Sequence, residues 1–204
     1  MEKFKNGLKW FLKSFIWLFI LGIGVDILSK NIIVNTMTLD QKIILIPNFL
    51  AIHYTVNNGA AFSMGVGNNV ANMIIYIVIA GLASAGIIFY FVKNEKKMSK
   101  LLKAPLMLIL AGALGNMIDR IFYAESYTGA SYRGVVDFID FFGIWNAIFN
   151  VADICIVVGA ILMIVYIIVE EVKERKAKPK QKVVVEKQVS KSEKEMQIEK
   201  DTDK

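Results

Sequence analysis

One cysteine, one histidine and three prolines are all that 204 residues provide of those types. A single Cys155 excludes an intrachain disulfide framework and any multi-cysteine metal site. With one histidine beside it, a zinc centre would need mainly carboxylates, an uncommon ligand set. Charge is scarce in the interior of the chain as well, and the lysines crowd both ends and one short connection. A net charge of +6 distributed in that way fits membrane topology better than a nucleic-acid surface. The chain is rich instead in apolar runs: 55% of its residues are hydrophobic, and the mean hydropathy is +0.50. That is too apolar for an ordinary soluble domain and indicates several membrane spans.

Four runs approach the length a bilayer requires, about 20 residues of helix. We place the spans at about 10–28, 70–92, 101–121 and 144–169, together forming a membrane domain over 1–169. The first run follows lysines but lacks a small-x-small cleavage site, and we read it as a retained span rather than a signal peptide. Residues 170–204 are a charged, aromatic-free tail, expected to extend as helix and to decay into disorder beyond Pro179. Lysines cluster before the first span, between the second and third, and in the tail, which places both termini in the cytoplasm. The two long connections then face outward. In the first, Ile43 to Pro47 and Leu50 to Val56 read as short strands around a Pro-Asn turn. The expected fold is an all-α membrane protein of four transmembrane helices. It has a small extracytoplasmic β-rich region between the first two spans and a flexible loop between the last two.

On that topology Asp26, Asp119, Asp137 and Asp153 share one level near the outer face. Asp153 sits about nine residues inside an otherwise uncharged span. A bare carboxylate there costs about 2.5–3.5 kcal/mol on insertion scales, and such a residue marks function. Asn116 and Asn150 each stand three residues before an aspartate, so on a helix the amide and carboxylate share a face. We expect Asp119 to pair with Arg120 in a supporting role, and Asp26 with Lys30 one turn away. Gly112 and Gly115 favour close helix approach. The apolar flanks of Asp137 put its segment against the bilayer, whereas Asp140 is expected to face water. Asn57-Asn58-Gly59-Ala60-Ala61 suggests a tight turn. His53 and Cys155 are assigned no role.

The sequence resembles the lipoprotein signal peptidases (signal peptidase II), bacterial membrane aspartyl peptidases. Five stretches carry the likeness in order: Asp26-Ile27-Leu28-Ser29-Lys30, Asn57-Asn58-Gly59-Ala60-Ala61-Phe62, Gly115-Asn116-Met117-Ile118-Asp119-Arg120, Val135-Val136-Asp137-Phe138 and Phe149-Asn150-Val151-Ala152-Asp153. The resemblance implies a catalytic pair at Asp137 and Asp153. It implies supporting or substrate-contacting roles for Asn57, Gly59, Asn116, Asp119, Arg120 and Asn150, and a polar pair near the substrate entrance at Asp26 and Lys30. It implies removal of the signal peptide from diacylglyceryl-modified prolipoproteins just before the lipidated cysteine, with no metal and no cofactor. The partners so implied are those prolipoproteins and membrane lipids, not nucleic acid. The protein is expected to act as a monomer in the bacterial cytoplasmic membrane, with its site near the outer leaflet. The 121–134 connection and the lysine-rich tail are longer than the family usually carries. Two other readings compete: a small channel or proton-coupled transporter, which would need acids at several depths, and a non-enzymatic lipoprotein-binding protein.

Overall fold

The computed structural model describes residues 2–57, 69–123 and 134–202. Gly59, the remainder of its turn, and residues 124–133 of the third connection lie outside these. Among the described residues, four helices are long and apolar enough to cross a membrane: Ile16–Thr36, Ala71–Asn94, Lys100–Phe122 and Val151–Lys176.

The N-terminal segment differs from the sequence expectation. Helix α1, Glu2–Ser14, ends before the first span, and α2 begins afresh as Ile16–Thr36. Between them Phe15 adopts a left-handed conformation, φ 63° and ψ 12°, which a bulky residue rarely takes. The fully buried Ser14 fastens the joint: its hydroxyl donates to the Phe11 carbonyl at 2.8 Å and accepts the Ile16 N–H at 3.4 Å. The span therefore runs later than 10–28, and Lys13 lies outside it.

A hairpin follows. Strands β1, Lys42–Ile46, and β2, Leu50–Asn57, pair antiparallel across a turn in which Asn48 has φ 56°. Helix α3, Asn69–Asn94, and helix α4, Lys100–Ile118, come next, the latter capped by the Ser99 hydroxyl, which accepts the Leu102 N–H. One π turn, Asp119–Tyr123, extends α4. Then β3, Val135–Asp140, pairs with β2, and the short β4, Ile148–Phe149, completes a four-stranded sheet in the order β1-β2-β3-β4. The segment around Asp137 is thus a strand of this sheet. Because β2 follows the first crossing and β3 the third, their pairing holds both long connections on one side of the bundle.

Helix α5 is Val151–Thr202, so the fourth span starts seven residues after the expected position at 144. Gly143 explains the delay. It has φ +88°, and the Asn48 carbonyl lies 3.1 Å from where its Cβ would be. The chain turns there, with the Ile144 and Trp145 N–H groups both donating to the Phe141 carbonyl. An apolar run that looks helical is consumed by a turn and a strand. Residues 1–163 form one compact unit and 164–204 a second. The second is helical through Thr202, and its Glu170–Lys173 and Glu171–Arg175 pairs are exposed.

The core beneath the sheet joins Ile33, Tyr54, Val136 and Phe138, with Val34, Met37, Ile52, Val56, Ile139 and Val151 packed around them. It locks the end of α2, two strands and the start of α5 together. In α4 the two glycines allow contact that no side chain would. A Cβ on Gly112 would run into the Ala152 carbonyl, and one on Gly115 would lie 2.6 Å from Asp26 Oδ2.

Candidate active site

Asn150 and Asp153 form the corner of the site. Asn150 precedes the first helical residue of α5, and its Oδ1 accepts the Asp153 N–H at 2.9 Å. Asp153 Oδ2 accepts the Asn150 N–H at 3.1 Å. This reciprocal pair is a capping box, and it satisfies two backbone donors at a helix start. Asp153 therefore stands in the first turn of α5 rather than deep inside a span. Its cost is lower than the sequence position implied, because the helix N-terminus favours a negative charge.

The Asn150 side chain reaches further. Its fully buried amide donates to Asp137 Oδ1 at 2.6 Å and to Asn116 Oδ1 at 3.0 Å. Asp137 is brought there by sheet register. Thr55 is opposite it and Asn57 opposite Val135, so Asn57 is its diagonal same-face neighbour. The Asn57 amide donates to Asp137 Oδ2 at 3.0 Å. Asn116, from α4, donates to Asp153 Oδ1 at 2.8 Å. Three amides thus hold two carboxylates that come from a strand and a helix start.

Asp137 is 2% exposed. Burial pushes its carboxyl up to about 7, with the charge of Asp153 adding to the rise; the Asn57 and Asn150 amides and the charge of Lys30 oppose it. A carboxyl so placed holds a proton near neutral pH, as an acid catalyst must.

Behind the amides lies a buried ionic cluster. Lys30 Nζ is 2.7 Å from Asp26 Oδ2 and 3.0 Å from Asp119 Oδ2, and it donates to Asn116 Oδ1 at 3.2 Å. Asp26 also accepts the Ala152 N–H at 2.8 Å, and Asp119 accepts the Val136 N–H at 3.1 Å. Asp26 therefore ties α2 to the segment carrying Asp153, and Asp119 ties the end of α4 to the strand carrying Asp137. This corrects two expectations. Asp119 bonds Lys30, not Arg120, and Asp26–Lys30 is a buried anchor, 0% and 4% exposed, rather than a pair at an entrance. Arg120 donates to the Asn116 carbonyl at 3.0 Å and stacks over the Tyr76 ring, 5.2 Å from its centroid. Consecutive residues on a helix point about 100° apart, so adjacency in sequence works against a direct pair.

Asp140 is a third correction. It is 6% exposed, not solvated, with Lys42 Nζ at 2.7 Å and His53 Nδ1 at 3.2 Å from its Oδ2. No sequence signal linked these three, because the pairing of β1, β2 and β3 creates the contact. Tyr76 likewise carried no signal. Of the sequence-derived site residues, Asn57, Asn116, Asn150, Asp137, Asp153, Asp26, Lys30 and Asp119 share one hydrogen-bonded network. Arg120 meets it through the Asn116 backbone, and Gly59 lies outside the described residues. Among the described residues, no group of three or more His, Cys, Asp or Glu is placed to hold a metal ion.

Two carboxyls, those of Asp137 and Asp153, are thus held by asparagine amides where the helices meet the small sheet. Residues 18–169 match the family described as Signal peptidase (SPase) II, and the chain belongs to that family. It is 38% identical over 151 residues to a lipoprotein signal peptidase of Fusobacterium nucleatum, covering 74% of this chain and 84% of the relative. A lipoprotein signal peptidase of Clostridioides difficile is 36% identical over 161 residues, covering 79% and 99%. A bacterial membrane enzyme solved by the in meso method at 2.3 Å resolution superposes with a TM-score of 0.65 at 30% identity, covering 79% of this chain and 91% of that one. With four apolar helices, this family membership makes the chain a multi-pass bacterial membrane peptidase.

Proposed function

We propose that the protein is an aspartyl endopeptidase that removes the signal peptide from diacylglyceryl-modified prolipoproteins, cleaving before the lipidated cysteine. The observation that carries the reading is Asn150, which binds Asp137 through its side chain and Asp153 through its backbone, and so fixes the two acids against each other. The names of the relatives support the substrate class.

In this mechanism Asp153, the less buried acid, takes a proton from water as the water oxygen attacks the scissile carbonyl carbon. Asp137 gives its proton to the carbonyl oxygen, so the tetrahedral intermediate is uncharged. On collapse the C–N bond breaks, the proton on Asp153 goes to the leaving amine, and Asp137 recovers its proton from a hydroxyl of the intermediate. No covalent enzyme intermediate forms, and neither a metal nor a cofactor is needed. The two acids titrate as one coupled unit. Asn57, Asn116 and Asn150 orient them. Lys30, Asp26, Asp119 and Arg120 hold the bundle around them, and Gly59 has the substrate-contacting role that the family resemblance implies.

The protein acts as a monomer, with both termini and the 170–204 tail cytoplasmic and the sheet and dyad near the outer leaflet. Lysine placement supports that orientation, and the sheet that joins both long connections supports their common side. Acyl chains would then hold the substrate cysteine at the depth of the dyad, alongside membrane lipids. The test is cleavage of a diacylglyceryl-modified prolipoprotein by the purified protein in the presence of a chelator. Cleavage at the cysteine by wild type supports the reading. Failure of a folded protein to cleave refutes it and favours the binding or transport alternatives.

A further inference from the structure

The break at Phe15 frees α1 from the span and gives it a surface of its own. Phe4, Leu8, Phe11 and Leu12 recur at helical spacing on one side of Glu2–Ser14, and Lys5, Lys9 and Lys13 form a row beside them. The body of the protein does not cover this apolar face: Phe4 is 77%, Leu8 48% and Leu12 54% exposed. At 13 residues α1 extends only about 20 Å, too short to cross a bilayer. Its end is tied directly to the first residue of a span, the Ser14 hydroxyl accepting the Ile16 N–H at 3.4 Å. The helix is therefore held within a residue or two of the membrane boundary, amphipathic and basic.

We infer that α1 is an interfacial helix that lies on the bilayer surface, with Phe4, Leu8 and Leu12 among the acyl chains and Lys5, Lys9 and Lys13 on anionic lipid headgroups. Continuity with a span selects a lipid surface over a protein partner, and the lysine row selects anionic over zwitterionic lipid. Each lysine near an anionic surface is worth about a five-fold preference. The helix would fix the rotation and depth of α2, which carries Asp26 and Lys30, without contributing to the chemistry.

The test uses the full chain with Cys155→Ala, labelled with an environment-sensitive fluorophore at Leu8→Cys or, separately, at Lys9→Cys. The protein is reconstituted in vesicles of equal parts phosphatidylcholine and phosphatidylglycerol, or of phosphatidylcholine alone. The proposal expects the Leu8 label to be blue-shifted and quenched from the lipid and the Lys9 label to be quenched from water. Replacing Lys5 and Lys13 by Gln in the Leu8-labelled protein should lower its lipid quenching at least several-fold in the anionic vesicles. Two water-exposed labels would overturn the proposal, as would two lipid-buried ones, which would return α1 to the span. Equal burial in both vesicle types would remove the anionic preference. Shielding that rises with protein density at fixed lipid composition would assign the face to a second copy and overturn it too.

Discussion

Asn150 and Asp153 bond to each other twice, Asp153 N–H to Asn150 Oδ1 at 2.9 Å and Asn150 N–H to Asp153 Oδ2 at 3.1 Å. One helix cap thus aims one of the two site carboxyls, and the same asparagine's amide reaches the other. The two roles of Asn150 are separable. Serine is also a good N-cap, whereas alanine costs about 1 kcal/mol there. Asn150→Ser should keep the helix cap yet lose at least about ten-fold in cleavage rate, because Asp137 Oδ1 loses its amide donor and only the Asn57 amide on Oδ2 remains. Asn150→Ala should lose both. Thermal unfolding in detergent alongside cleavage assays checks this; wild-type cleavage by Asn150→Ser would remove Asn150 from the dyad's support.

Asp137→Asn and Asp153→Asn should each lower cleavage by at least about 10²–10⁴-fold while leaving the circular dichroism spectrum unchanged. If Asp119→Asn were the inactive variant and Asp137→Asn stayed active, the pair would be wrongly chosen.

The raised Asp137 carboxyl has a signed consequence for stability. Its proton is held more tightly in the folded state, about 7 against 3.8 for the ordinary group. The folded state therefore gains from this group below pH 3.8, and the gain is lost as pH rises through about 7. The stability of wild type minus that of Asp137→Asn should fall between those values and level off above. In the same sense, cleavage should decline on the alkaline side of about 7 as the acid loses its proton. A pH-independent difference in stability would contradict the burial argument.

Lys30 faces two buried carboxylates, Asp26 and Asp119. Lys30→Met leaves both without their cation and should cost about 3–5 kcal/mol. Adding Asp26→Asn should restore part of that loss. Denaturation of the single and double variants measures the coupling, and additive effects would refute a shared cluster.

Gly112→Ala and Gly115→Ala should differ. The first drives a methyl into the backbone carbonyl of Ala152, which cannot swing aside. The second meets the Asp26 carboxylate, a side chain that can move at the expense of its bonds to Lys30 and Ala152. Gly112→Ala should be the more destabilising on thermal unfolding, and the reverse order would show that α4 and α5 separate readily.

Much of the architecture follows from local pattern. Long apolar runs cannot satisfy their backbone in lipid except as helices, so four spans and their order were readable. The hairpin was also legible, because two short runs rich in β-branched residues flank a Pro-Asn turn. Asp153 stood out because uncharged surroundings make a carboxylate conspicuous, whereas the pairing of Asp137 with it came from the family resemblance. Contacts that depend on register were not legible. Lys30 meets Asp119 only once α2 packs on α4, and Lys42, His53 and Asp140 meet only once three strands align.

The sequence by itself determined that four apolar runs give helices long enough to cross a membrane, since transfer free energy is a property of each side chain and its near neighbours. Tertiary structure decided where the helices begin. Phe15 takes a left-handed turn that buries Ser14, and Gly143 turns against the Asn48 carbonyl, so α2 and α5 start later than their apolar runs. It also decided that Asp153 lies in the first turn of a helix instead of deep inside one, because Asn150 is held by Asp137 and Asn116 from across the fold. Such choices are made by packing between distant segments, and no local pattern encodes them.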